Sequence, residues 1–572
     1  MRPANIIYGL TDRPPFPIFL LSTAQQTAAA AAISFATLLS VLDAAGVDLE
    51  TSRNSLSVAM LALGLATILH CIRLGPIGCG YLVPAVFATS YLPGMLVAAK
   101  TGGMGLVFGM TIFAGVFQTL VSRIIPRLRP FFPTEITGFV VFTIGLGMGV
   151  IGMVYVAGRG LGGNETVVAH GDEIFLASVA LLSMTVCSVW LRGTIRTFGV
   201  LIGVVVGYVV SIPLGFFNLD ALTAVWSDLH LFQPPRLMSQ PLSFSWSLAL
   251  PFMVGALACS LRAIGDVTTA QKINDTQWRR PDLQTIEGGI LAGGIGNIIV
   301  GLIGSIPCNT ASSGVGLSGA SGVTSRMVGY GIAGLFAILS FMPILATVLV
   351  MMPRPVLGAV MMFTGCMVIM NGLQMMQSRV IDNRKTIVIG VSLVLGISQN
   401  IYPNLFIAAP TWLQPFVGSS VVLSILSALL LNSLFRIGMK RSVTLLLRPS
   451  PEGAQMVYEF VHRQGGVWGA RQDVVSRAEQ AMIEWAESAD HLVMDGEAMT
   501  VEASFDEFNL DFVISYRGGV FEPCYTPPTE EDLLENIDAL ARLSHLLITR
   551  VVDKITVRSD DDRQVVTLHF DH

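Results

Sequence analysis

Runs of 18 or more apolar residues recur from Phe16 to Phe435, and each is long enough to cross a bilayer as a helix. In lipid no water pairs with stray backbone N–H and C=O groups, so such runs fold as helices that satisfy their own backbone. Only 13% of the 572 residues are charged, against about 25% in soluble chains. The pattern predicts an all-α polytopic membrane protein over residues 14–440. Its spans fall near residues 16–44, 55–73, 80–98, 103–122, 133–156, 174–192, 197–215, 246–268, 286–305, 313–325, 328–351, 355–376, 385–400 and 415–436, about fourteen in all. Two of them, 80–98 and 313–325, are short or interrupted by Gly and Pro.

Charge divides the chain in two. From Ser450 onward there are 24 Asp and Glu against 9 Lys and Arg, a net of −15, while the remainder carries +10. A basic-looped membrane body therefore precedes an acidic soluble tail, 450–572. Basic residues crowd the connections after even-numbered spans: Arg73; Arg123, Arg127 and Arg129; Arg192 and Arg196; Lys272, Arg279 and Arg280; Arg326; Arg379, Arg384 and Lys385; Arg436, Lys440 and Arg441. The opposite loops hold only Arg53, Lys100, Arg159, Arg236 and Arg354. The basic side is cytoplasmic, so an even span count places both termini in the cytoplasm of an inner (plasma) membrane protein. The polar dozen residues before the first run, and that run's length, are unlike a cleavable signal peptide.

The tail has soluble patterning. Asp473–Glu487 has helical periodicity, Phe505–Tyr516 alternates like a strand, and the segment from Thr529, a candidate N-cap, is helical again before a closing hairpin. The seven cysteines show neither a disulfide framework nor metal-ligand spacing, and no cofactor or nucleic-acid partner is expected. No catalytic constellation and no phosphate-binding GxxxxGK[ST] loop is present.

One stretch sits oddly in a chain built for lipid. Ile306–Arg326 reads IPCNTASSGVGLSGASGVTSR, almost wholly small and polar. Its counterpart, seven spans earlier, is GPIGCGYLVPAVFATSYLP, Gly75–Pro93. Non-helical backbone at membrane depth survives only where protein buries it or a cavity wets it. Two interrupted segments at corresponding places in two halves point to a substrate site, where half-helix N-termini offer free N–H groups. Close packing through small residues would also use such sequences, but the symmetric placement favours a site.

These segments carry a resemblance. GPIGCG before the third span, FPTEITGFVVFTIGLGMG at the fifth (Phe132–Gly149), SLRAIGDVTTA in the eighth (Ser260–Ala270) and IPCNTASSGVGLSGASGVTSRMVGY around the tenth resemble the nucleobase–ascorbate transporter family, the uracil and xanthine permeases. The likeness covers about residues 14–440. It implies fourteen spans in two inverted seven-span repeats, arranged as core and gate domains, a secondary active carrier of a nucleobase-like solute coupled to protons, and a homodimer. It places the substrate against Gln25, Phe87, Ala88, Arg262, Asp266, Ser312, Ser313, Gly314 and Gly316, with Asp266 also the proton-coupling group. The tail resembles a degenerate histidine-kinase-type ATPase fold, but its helix RAEQAMIEWAES lacks the magnesium-binding Asn and its SYRGG lacks the Asp that reads adenine. A regulatory or dimer-contact role is the expectation.

The chain also departs from the family. A Glu normally stands four residues before the Asp of the eighth span; here it is Arg262. The signature's Gln or Glu followed by Asn is Ser313-Gly314, and the early Gln-His pair is Gln25-Gln26. A carboxylate accepts hydrogen bonds from ring N–H groups, whereas arginine only donates. Arg262 therefore suits an anionic or acceptor-rich solute, or an internal ion pair with Asp266 one turn on. Two alternatives follow: a small-anion carrier or exchanger using Arg262, and a transporter-derived receptor signalling through the tail. His70, Glu135 and the Met351, Met352, Met361 and Met362 clusters are expected to be structural.

Overall fold

In the computed structural model each expected span contains helix, but 80–98 is helical only from Leu92 and 313–325 only to Ser321. The structure describes residues 3, 6–124, 134–157, 171–191, 194–217, 232–238, 240–276, 278, 281–377, 383–410, 413, 417–435, 441–448, 452–468, 470, 472–494, 497–506, 509–526, 537–560 and 563–571. Arg127, Arg129, Arg159, Arg192, Arg279, Arg280, Arg379, Arg436, Lys440 and Thr529 lie outside the described residues. The chain divides into two compact units, residues 1–378 with 385–431, and residues 379–384 with 432–572.

The first unit runs α1 (Phe16–Ala45), α2 (Leu49–Cys71), β1 (Ala85–Phe87), α3 (Leu92–Val121), α4 (Thr134–Val156), α5 (Gly171–Trp190) and α6 (Gly199–Ser211). It continues with α7 (Ala249–Asn274), α8 (Leu283–Ile303), β2 (Cys308–Thr310), α9 (Ser312–Ser321), α10 (Arg326–Ser340), α11 (Pro343–Val350), α12 (Arg354–Met376), α13 (Asn383–Ile401) and α14 (Ser420–Phe435). Eight helical stretches among the described residues are long and apolar enough to cross a membrane, and the pair α10–α11, bent by 83°, makes a ninth. Of the remaining expected spans, 197–215 and 415–436 hold the shorter helices α6 and α14, while α13 has 19 residues. The expected spans 80–98 and 103–122 share α3, which is interrupted at Gly103, where φ is 67°. The expected span 313–325 is a ten-residue half-helix, α9.

Helix ends follow the usual chemistry. The Asp48 carboxylate accepts from Thr51 N–H at the start of α2 (3.3 Å), and Ser325 Oγ accepts from Met327 N–H at the start of α10 (3.2 Å). Helix α1 stops at Gly46, which takes the left-handed conformation with φ 62°.

Packing repeats across the two halves. Helix α2 lies against α10 as α8 lies against α3; α1 lies against α10 as α7 lies against α3; α4 pairs with α12. Each pairing maps onto another, or onto itself, when every span is exchanged for the one seven later. Between α4 and α12 the contact is backbone on backbone. Gly138 faces Gly372, Gly145 faces Gly365 and Gly152 faces Gly358. A Cβ on any of these six would meet the partner helix's backbone at 2.4–3.1 Å. Glycine at seven-residue intervals is what allows so close an antiparallel approach. At the end of this pair Glu135 and Lys385 form a buried ion pair at 2.9 Å. Glu135 is thus fully enclosed, in keeping with a structural role, and Lys385 belongs to α13 rather than to a loop.

The second unit begins with β3 (Arg441–Leu447), before the acidic composition sets in at Ser450. It adds α15 (Gly453–Trp468), α16 (Gln472–Leu492), β4 (Met499–Phe505), β5 (Asn509–Tyr516), α17 (Ile537–Val551), β6 (Lys554–Asp560) and β7 (Arg563–Asp571). The strands form one antiparallel sheet, order β3-β4-β5-β7-β6. Phe505 closes β4 rather than opening β5, because the Asp506 carboxylate accepts from Asn509 N–H (2.8 Å) and turns the chain there. Trp485 of α16 is buried against Tyr516 and Phe521.

Two outcomes follow. Gly145→Ala would bring a Cβ to 2.7 Å from Ile369 N, whereas a Cβ on Gly149 meets nothing within 4 Å. Thermal unfolding in detergent should show Gly145→Ala less stable by about 1–3 kcal/mol and Gly149→Ala unchanged. In the tail, the hydrogen bond that His569 Nδ1–H donates to the Asp511 carboxylate holds the His569 pKa above its ordinary 6.5. The folded state binds that proton more tightly, so its stabilisation is full below the ordinary value and fades as pH rises through the raised one. Hydrogen exchange of β5 and β7 in the intact chain should quicken over that interval, and Asp511→Asn should abolish the dependence.

Candidate functional site

Strands β1 and β2 are three residues each, fully buried, and antiparallel, with Ala85 opposite Thr310, Val86 opposite Asn309 and Phe87 opposite Cys308. The ladder continues at both ends: Ala88 N–H donates to Pro307 O and Ala311 N–H to Pro84 O, both at 2.8 Å. Each strand still turns donors outward. Thr67 Oγ1 of α2 accepts from Ala85 N–H (3.0 Å), Ser34 Oγ of α1 from Phe87 N–H (3.1 Å), and Asn297 Oδ1 of α8 from Cys308 N–H (2.7 Å). Side chains on three helices thereby satisfy backbone that would otherwise be stranded. The segment after each strand turns into a half-helix, α3 or α9.

Beside this ladder lies a cavity of about 330 Å³. It is lined by Val141 of α4; Arg262, Gly265, Asp266 and Thr269 of α7; Ser312 at the start of α9; and Val368, Asn371, Gln374 and Met375 of α12. Four-residue spacing sets Arg262 and Asp266 on one face of α7. Asp266 is buried and accepts a hydrogen bond from Thr310 Oγ1 at 2.5 Å. Arg262 Nε donates to Ser312 Oγ at 3.1 Å and stands 3.9 Å from Asp266 Oδ2. Its Nη1 and Nη2 have no acceptor among the described residues, and the same holds for the amides of Asn371 and Gln374. The cavity thus carries one cation, one carboxylate and an array of uncommitted donors and acceptors, within the size range of small-ligand sites.

The expected site residues divide into three groups. Arg262, Asp266 and Ser312 come together on the cavity. Gly314 lies just beyond, its carbonyl accepting from Gln26 Nε2 at 2.9 Å; Gln25 is half-buried and makes no such bond. Phe87 and Ala88 are buried within the ladder, while Ser313 and Gly316 are exposed; none of these four lines the cavity. Sequence reasoning passed over Asn371, Gln374 and Thr269. An Asn and a Gln inside the apolar run MVIMNGLQMM were the available signal, since polar side chains at membrane depth mark cavities. His70 is buried in α2, as a packed helix residue would be.

Comparisons with known proteins identify the family to which the membrane body is similar. A family model named for xanthine and uracil permeases, described as "Permease family", matches residues 18–405. The xanthine permease XanP of Escherichia coli (strain K12) is 24% identical over 442 residues, covering 76% of this chain and 95% of the relative. The putative purine permease CPE0397 of Clostridium perfringens is 27% identical over 443 residues, covering 76% and 93%. Among solved structures, the murine Slc26a9 anion transporter in its inward-facing state matches with a TM-score of 0.51 at 12% identity, over 77% of this chain and 72% of that one. At that identity the likeness is one of fold.

Breaking the ion pair should be costly. Asp266→Leu leaves Arg262 buried without its counter-charge, and should lower stability by up to about 3–5 kcal/mol. The double change Arg262→Leu, Asp266→Leu should lose less than the two single changes summed. Thermal unfolding of the three variants decides this, and strictly additive losses would contradict the coupling.

Proposed function

This chain belongs to the xanthine and uracil permease family, and on that premise we propose that it is a secondary carrier which moves a nucleobase-like ring solute together with a proton through the cavity beside β1 and β2. As a permease it is a multi-pass membrane transporter, not an enzyme. The observation that carries the reading is the meeting of Arg262, Asp266 and Ser312 on one cavity wall, opposite the amides of Asn371 and Gln374. In this reading a flat ring lies between them, its polar edges toward these groups and its faces toward Val141, Val368 and Met375.

Asp266 is the proton site in this reading. It is buried, it sits on the cavity, and its Thr310 partner can hydrogen-bond either protonation state. One wall comes from α7 and α9, tied to the ladder; the other comes from α4 and α12. Access alternates when these walls move relative to one another, exposing the cavity to one side and then the other. The basic residues in and beside the helix ends, Arg73, Arg123, Lys272, Arg326 and Arg384 among them, favour cytoplasmic termini in the inner membrane, and a homodimer is the proposed assembly. The tail's role is regulatory or dimer-forming.

Cells expressing the chain should accumulate labelled xanthine or a related base against its gradient, and collapse of the proton gradient should stop accumulation. Asp266→Asn should abolish accumulation yet retain exchange of solute for solute, which needs no net proton movement. Exchange lost together with accumulation in a well-folded variant would remove Asp266 from the coupling role. A reporter fused after His572 should be active only in the cytoplasm.

A further inference from the structure

Resting on the carrier reading above, we propose that the solute crosses as a planar monoanion, its charge shared by two adjacent acceptor atoms that face Nη1 and Nη2 of Arg262, and that one proton on Asp266 travels with it so that the loaded cavity stays neutral. The geometry supplies the first half. The Arg262 side chain is only 16% exposed, and its Nε is committed to Ser312. Its two Nη groups are the uncommitted part of a rigid planar fork, which pairs best with two acceptors in one plane. A neutral uracil-type ring presents an N–H beside each carbonyl, and arginine cannot accept from that N–H; a neutral 9H purine does offer O6 and N7 together, but brings no charge to the fork. Loss of the proton turns the same edge into two acceptors bearing one charge. A ring carboxylate offers the same arrangement. Asn371 and Gln374 on the far wall both donate and accept, and so tolerate whatever the opposite edge presents.

Charge supplies the second half. The empty cavity holds Arg262⁺ and Asp266⁻, which sum to zero. Adding a monoanion alone would leave a net −1 at membrane depth, a costly state. A proton taken up by the Asp266 carboxylate from the water on the entry side restores neutrality, and its release on the exit side restores the ion pair. No bond of the solute is made or broken. The groups beside Asp266 are Arg262 on its own helix and Thr310 and Ser312 from the second broken segment, and it shares the cavity with Asn371, Gln374 and Met375 from α12 and Val141 from α4. Only Arg262 among them is charged, and the Cys79 thiol, ahead of β1, is the further titratable neighbour. A neutral base carried with one proton would instead move a positive charge and be drawn inward by membrane voltage.

Full-length protein in liposomes tests both halves with matched probes: orotate against uracil for the carboxylate source, and urate against hypoxanthine for the ionised-ring source. At least one anion should bind about 30-fold or more tightly than its neutral partner, and which one does so identifies the source. Its uptake should follow an inward proton gradient and ignore a potassium–valinomycin potential. Arg262→Gln should erase the discrimination, and Arg262→Lys, which keeps the charge without the fork, should recover only part. The wild-type comparison decides the matter even if those variants fold poorly. Preference for uracil or hypoxanthine, or uptake accelerated by an inside-negative potential, overturns the inference and leaves the carrier standing. Absence of binding and flux for all four probes overturns both.

Discussion

The structure depends on one constraint: backbone amides at membrane depth need partners, and water is not there to serve. Helices meet it internally. At the two places where the chain stops being helical, β1 and β2 meet it by pairing with each other and by drawing on Thr67, Ser34 and Asn297. That exchange makes each half of the chain complete only in the presence of the other. It also fixes Thr310, and through it Asp266, at one spot, so the reactive geometry inherits its accuracy from the hydrogen-bond bookkeeping of the scaffold.

The second constraint is electrostatic. A lone arginine in an enclosed site is expensive unless something negative stays near it. Asp266 at 3.9 Å is near enough to neutralise Arg262 but too far to saturate it. The pair is therefore loosely held, and its remaining donors face open space. A tight bidentate bridge would have been a structural fixture. At 3.9 Å this pair is more open than the buried Glu135–Lys385 bridge at 2.9 Å.

How much was legible in the sequence depends on how far each signal extends along the chain. Spans are long and repetitive, so their positions could be read, and the run of small residues at Ile306–Arg326 betrayed the broken segments. Strands of three residues are too short to show alternation, so the ladder could not be read as strands. Arg262 and Asp266 stood out because charge inside an apolar run is rare. Asn371 and Gln374 reach the cavity from a distant helix, and only packing shows which face of α12 is turned inward. Which of Gln25 and Gln26 turns toward Gly314 is a matter of one residue, about 100° around a helix, which no local pattern fixes. Strand β3, with the sequence RSVTLLL, was hidden because it follows the last apolar helix closely and reads like its continuation.

The facing glycines of α4 and α12 act as a gear with fixed teeth. Sliding one helix by a single turn, 5.4 Å, would push side chains such as Ile369 or Met362 against backbone that tolerates no extra carbon. Between one heptad setting and the next there is no intermediate register of low energy. Whatever motion opens this cavity must then carry α4 and α12 as a single bar, and Val141 and Asn371 must advance or withdraw in the same stroke. A carrier built this way cannot adjust one side of its wall to a new solute without adjusting the other. Changes of specificity are more readily made on the opposite wall, at single positions of α7 and α9, which is where this chain differs from the pattern its sequence otherwise follows.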